Sequence, residues 1–205
     1  MFRLVASDLA KRFGHRRVFS RIDIDLVTGK SLAVVGRNGS GKSTLLKILL
    51  SLHHPDQGTV KYFRGDENLS RQQVLPLVSF VAPYLNLYDY LSAEENLRFF
   101  ATMAGINLTG KGVDEVLERV GLQGRGADHV AGYSSGMKQR LKYALALVKK
   151  PAFLFLDEPS ANLDADGKVV VEEIIEQSRS DCIIVVATNE PEEYCFAREQ
   201  CRLDQ

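Results

Sequence analysis

The stretch Gly36-Arg37-Asn38-Gly39-Ser40-Gly41-Lys42-Ser43 spaces its glycines, lysine and hydroxyl as G-x-x-x-x-G-K-[ST], with Thr44 opening an apolar run behind it. Such glycines let consecutive backbone N–H groups turn inward on phosphate oxygens, and a helix start behind them adds positive potential. Lys42 is expected to reach the β- and γ-phosphates of a nucleotide, and Ser43 to place its hydroxyl on Mg2+. A second group of candidates sits in "FLFLDEP", where Asp157 ends an apolar run. A carboxylate there is costly unless it meets a cation or donors. An Mg2+ held between Ser43 and Asp157 answers that cost. Glu158, next in the chain, is placed to orient or deprotonate an attacking water. A third stretch, "YSSGMKQR", puts Ser134, Ser135 and Gly136 at the mouth of a helix whose first N–H groups are free, a second anion site. One phosphate loop needs one cradle. The spare one makes sense if it closes over a nucleotide held by another subunit.

These residues need elements to hold them. "SLAVVG" (31–36), "FLFLD" (153–157) and "CIIVVAT" (182–188) are apolar on both faces, as central strands of a helix-covered parallel sheet are. "RIDIDL" (21–26) alternates with period two, and "GTVKYF" (58–63) also reads as a strand. Ser92 and Glu95 form a capping-box pattern for a helix that closes at Gly105. Val113, Val116, Leu117 and Val120 make a second stripe, ended by Gly121. After "YSSG", Leu141, Ala144, Leu145 and Val148 share a face, with Lys149 and Lys150 in the last turn before Pro151. Val170, Val171, Ile174 and Ile175 mark one more helix. Between about 86 and 150 the pattern is almost purely helical, as for an insert in an α/β core.

The chain of 205 residues fits one domain, or one core with an inserted subdomain. Lys+Arg equals Asp+Glu at 26 each, so no global field draws it to nucleic acid or anionic lipid. Cys182, Cys195 and Cys201 make no metal spacing and no even disulfide framework, which fits reduced thiols. The start carries Arg3, Asp8 and Lys11 and lacks the apolar stretch of a signal peptide. No run approaches the roughly 18 apolar residues that span a bilayer, so any spans are expected from another chain.

The order of phosphate loop, helical insert, serine–glycine helix start and "LDEP" resembles the nucleotide-binding domain of ATP-binding cassette (ABC) transporters, over essentially the whole chain. The resemblance implies a P-loop NTPase core with a mostly parallel sheet, flanking helices and an N-terminal antiparallel β part. The core would comprise 1–85 and 151–205, with the α-helical subdomain inserted at about 86–150. It also implies ATP and Mg2+ as cofactors, hydrolysis, and a head-to-tail dimer in which Ser134–Gly136 meets the γ-phosphate of the opposite subunit. The usual L-S-G-G-Q is here Tyr133-Ser134-Ser135-Gly136-Met137, a form similar to ATPase subunits coupled to separately encoded membrane proteins, often exporters. By the same resemblance Phe13 stacks on adenine, and "SANLD", ending at Asp164, communicates across the dimer. The partners implied are an integral membrane subunit and a second cassette, identical or different. The place implied is cytoplasmic, peripheral at the inner face of the cell membrane. The length is similar to that of short haem-exporter ATPase subunits.

Two residues depart from the family pattern. Asn189 in "ATNEPEE" stands where a histidine usually contacts the γ-phosphate; it can donate a neutral hydrogen bond but cannot become cationic. In "VSFVAPYLNLYDYLS", Pro83 stands at the position of a glutamine that touches Mg2+, with Tyr84 and Asn86 as the polar neighbours able to replace it. Losing one preorganised contact costs about 10²–10³ in rate, so slowed hydrolysis is expected, with Lys42, Glu158 and Asn189 as the catalytic candidates. The rival readings are an ABC-type ATPase in cofactor assembly and a nucleotide-dependent regulatory module. Glu190, Glu192 and Glu193 read as a solvated helix start favoured by the dipole.

Overall fold

The computed structural model describes residues 1–203. The apolar runs do lie side by side: β3 (Ser31–Val35), β7 (Phe153–Asp157) and β8 (Ile183–Thr188) are buried along their whole lengths. With β6 (Val78–Val81) and β9 (Glu199–Arg202) they form an all-parallel sheet in the order β6-β7-β8-β3-β9. Alternation then feeds two cores. Phe153, Phe155, Ile183 and Val185 point into one, and Leu154, Leu156, Ile184 and Val186 into the other, as period-two side chains must.

The first core is closed by α1 (Lys42–Leu49) and by an antiparallel sheet ordered β2 (Arg16–Val27), β1 (Phe2–Phe13), β4 (Gln57–Arg64), β5 (Glu67–Asn68). The short α2 (Arg71–Val74) follows it, with Ser70 and Gln73 completing a capping box. The second core is covered by α3 (Ala93–Met103), α4 (Gly110–Arg119), α5 (Ser135–Val148) and α6 (Ala165–Ser178). Ser92 and Glu95 close the expected capping box on α3. Ser134 caps α5 by accepting from the Met137 N–H, and Asp164 caps α6 by accepting from the Gly167 N–H. Among the described residues, no helix is long and apolar enough to cross a membrane.

Two local expectations are corrected. α5 stops at Val148, one residue before Lys149, and Lys150 takes a left-handed turn with φ 45°. Lys149 is spent elsewhere: its ammonium donates to the carbonyls of Leu75 and Val78, tying α5 to the start of β6. Glu193 is not solvated. It is only 4% exposed, in a 3-10 turn at Pro191–Phe196, and its Oε1 accepts from the Ser160 N–H at 3.0 Å.

Candidate nucleotide-binding site

In an all-parallel sheet the carboxyl ends of all strands share one edge, where ligands of open α/β sheets gather. Each strand but β9 delivers a candidate residue there. β3 runs into the glycine loop, β7 ends at Asp157, β8 runs on to Asn189, and β6 leads to Tyr84.

The glycine loop wraps the start of α1. Gly41 is its N-cap at φ 105°, a conformation L side chains avoid, and a Cβ there would lie 2.2 Å from Val18 Cγ1. α1 has no side-chain cap, so its first N–H groups stay available to an anion. Lys42 is buried, and its Nζ donates to the carbonyls of Gly36 (3.0 Å) and Arg37 (3.3 Å). The Ser40 hydroxyl is buried without a partner, and a Cβ on Gly36 would lie 2.6 Å from it. A buried orphan donor beside the uncapped start of α1 suits a phosphate oxygen.

Asp157 is 2% exposed. Its Oδ1 accepts from Ser43 Oγ at 3.1 Å, and its Oδ2 accepts from Tyr84 Oη at 3.2 Å. The donor set is all hard oxygen, with one carboxylate and one hydroxyl, which fits Mg2+ completed by phosphates and water. Burial, then the Asp157 charge, pushes the Tyr84 phenol up to about 12, so it remains a donor at neutral pH. Glu158 follows with φ 49°, a left-handed conformation costly for a side chain of its size, and its N–H donates to the Ala187 carbonyl.

Asn189 shares a cavity of about 420 Å3 with Gly36, Arg37, Asn38, Tyr194 and Arg202. Its amide reaches only Glu190, at 3.4 Å. Gly39 lies at the tip of the loop, where its carbonyl accepts from Arg16, and Thr44 lies in the first turn of α1. Phe13 ends β1, 56% exposed, with Lys11 Nζ 5.6 Å from its ring centroid.

Ser134, Ser135 and Gly136 stand apart from these, on the helical layer. Ser134 and Ser135 are exposed. The preceding Tyr133 is buried, and its hydroxyl donates to the Arg125 carbonyl at 2.7 Å, which sets where α5 begins. The "SANLD" loop runs past this helix start, with the Asn162 carbonyl 3.4 Å from where a Gly136 Cβ would be. It is held from below by Glu193 on Ser160 and by Tyr143, whose hydroxyl donates to the Pro159 carbonyl at 2.9 Å. Burial first, and the Glu193 carboxylate second, push the Tyr143 phenol well up. Sequence reasoning missed Glu193, and it left Tyr84 and Asn86 undecided. Tyr84 reaches the carboxylate; Asn86 lines an apolar groove on the other side of the loop.

A phosphate loop on α1, an acidic strand end on β7 and a parallel sheet between two cores define a P-loop nucleotide-binding domain. The chain belongs to the ABC transporter family, whose model matches residues 19–161. It is 34% identical over 186 residues to the lantibiotic transport ATP-binding protein SrtF of Streptococcus pyogenes, covering 91% of this chain and 79% of that one. It is 32% identical over 188 residues to the uncharacterized ABC transporter ATP-binding protein YxlF of Bacillus subtilis (strain 168), covering 91% of this chain and 62% of that one. Against YxlF and three similar relatives it spans 51–62% of their length. Its fold matches that of the ATP-binding cassette MJ0796, solved as a dimer in a post-hydrolysis state with ADP and Pi. The TM-score is 0.82 at 22% identity, over 98% of this chain and 94% of that one.

Proposed function

We propose that the chain binds ATP with Mg2+ and hydrolyses it as one half of a head-to-tail pair, driving an integral membrane transporter subunit at the inner face of the cell membrane. The observation that carries this reading is the meeting of Ser43 and Asp157 at 3.1 Å across 114 residues of sequence. It brings the phosphate loop and the acidic strand end into one pocket.

In this reading the N–H groups of Asn38 to Thr44 and the Ser40 hydroxyl hold the phosphates, and Phe13 covers the adenine. Lys42 turns from its own loop's carbonyls to the β- and γ-phosphates. Ser43 and Asp157 would hold the Mg2+, which would supply positive charge against the phosphates. Glu158 accepts the proton of the attacking water as its oxygen bonds to the γ-phosphorus and the bond to the leaving β-phosphate oxygen breaks. Asn189 donates a neutral hydrogen bond to a γ-phosphate oxygen without supplying charge. Ser134–Gly136 of a second copy, or of another cassette, closes the pocket from the far side.

A groove of about 610 Å3 behind the Tyr84 loop, walled by Leu75, Leu85, Leu87, Phe100 and Leu145, supports a membrane partner. It suits a short apolar helix of the membrane subunit. The test is Mg·ATP hydrolysis per molecule against protein concentration. A rate that rises with concentration and vanishes in Glu158→Gln is expected. A rate independent of concentration would remove the pair, and an unaffected Glu158→Gln would remove the base.

A further inference from the structure

Pro83 stands where the family pattern has a glutamine, and its ring offers a metal nothing. The next residue does. Tyr84 Oη donates to Asp157 Oδ2 while Ser43 Oγ donates to Oδ1, so the carboxylate is gripped on both oxygens by two different elements. A carboxylate held at one oxygen can still turn about its terminal torsion, which is broad and roughly two-fold. A second donor fixes which oxygen faces Ser43. The Tyr84 ring is itself held, with Lys47 Nζ of α1 5.0 Å from its centroid and the Phe80 ring at 6.3 Å. The backbone beneath it is anchored to α5, where Lys142 Nζ donates to the carbonyls of Ala82 and Pro83. The residue is half-exposed, yet ring and backbone both have partners, and the hydroxyl points at Asp157, a buried carboxylate of the phosphate pocket.

We propose that Tyr84 is a positioning residue for the metal: its hydroxyl, donating to Oδ2, orients Asp157 so that Oδ1 faces Ser43. The inference rests on the Mg·ATP reading above. Groups that orient a metal ligand change metal affinity by about 10–100-fold when removed. The effect therefore falls on the gain in nucleotide affinity that metal confers, and not on nucleotide binding as such.

The measurement is equilibrium binding of a fluorescent N-methylanthraniloyl ATP to the full chain, in saturating Mg2+ and in EDTA. The Glu158→Gln background prevents turnover. The ratio of the two affinities reports the metal. Tyr84→Phe, which keeps the ring and its Lys47 contact, is expected to cut that ratio about tenfold with the EDTA affinity unchanged. A ratio equal to that of the parent overturns the proposal. So does a Tyr84→Phe equal to the parent beside an impaired Tyr84→Ala, which assigns the effect to ring packing. A parent chain that binds nucleotide with a ratio of one sinks the metal reading itself, and the Tyr84 assignment with it. That outcome is visible before any Tyr84 variant is compared.

Discussion

Helices α1 and α5 begin in opposite ways. α1 starts on Gly41 with no side-chain cap, and Lys42, Ser43 and Asp157 of the same chain surround its free N–H groups. α5 starts on Ser134, whose own hydroxyl caps it, and its first residues face outward. A capped helix start folds without help, whereas an uncapped one leaves donors for a ligand to satisfy. The first is a pocket that one chain nearly completes. The second is an exposed helix start, which on the proposed reading would meet a ligand held by another copy.

That contrast breaks most visibly at Ser135. An aspartate in the first turn favours a helix by about 0.3–1 kcal/mol, so Ser135→Asp should fold. It also sets a negative charge where a second copy's phosphate would arrive. Steady-state hydrolysis should fall by about 10² or more, the scale of losing a preorganised oxyanion contact. Single-chain ATP affinity, measured by fluorescence, should hold. Hydrolysis at the parent rate would mean that α5 never meets a nucleotide.

Asn189→His sharpens the other side of the contrast, inside the pocket that the chain builds alone. An imidazole beside Gly36 and Asn38 adds a group that can carry charge and a proton, and the rate should rise about tenfold. The gain should follow the fraction of protonated imidazole, fading as pH rises past about 6.5. A flat rate–pH comparison between variant and parent would show that the neutral amide already meets the need. The smallest effect belongs to Ser134→Ala. Losing the cap should lower stability by about 1 kcal/mol in urea unfolding while leaving α1's pocket and its ATP affinity as they were.

Much of the fold was legible because it is written locally. Runs apolar on both faces announced β3, β7 and β8, and the Ser92–Glu95 pair announced α3. β6 escaped, being only four residues long and continuous with the apolar loop that follows it. Glu193 escaped because what buries it is a backbone N–H 33 residues earlier, which no pattern of neighbouring residues records. Tyr84 and Asn86 lie two apart in an irregular loop, so neither helical nor strand periodicity could say which faces Asp157.

The sequence by itself determined the phosphate loop, the helix caps and the alternation of the central strands. These depend on backbone conformation and on hydrogen bonds spanning three or four residues. Only the tertiary structure decided that Ser43 and Tyr84 share one carboxylate, that Glu193 lies beneath the "SANLD" loop, and that Asn189 adjoins Gly36 and Asn38. Those meetings follow from the strand order β6-β7-β8-β3, which sets four carboxyl ends along one edge, and strand order is fixed by packing across the whole chain.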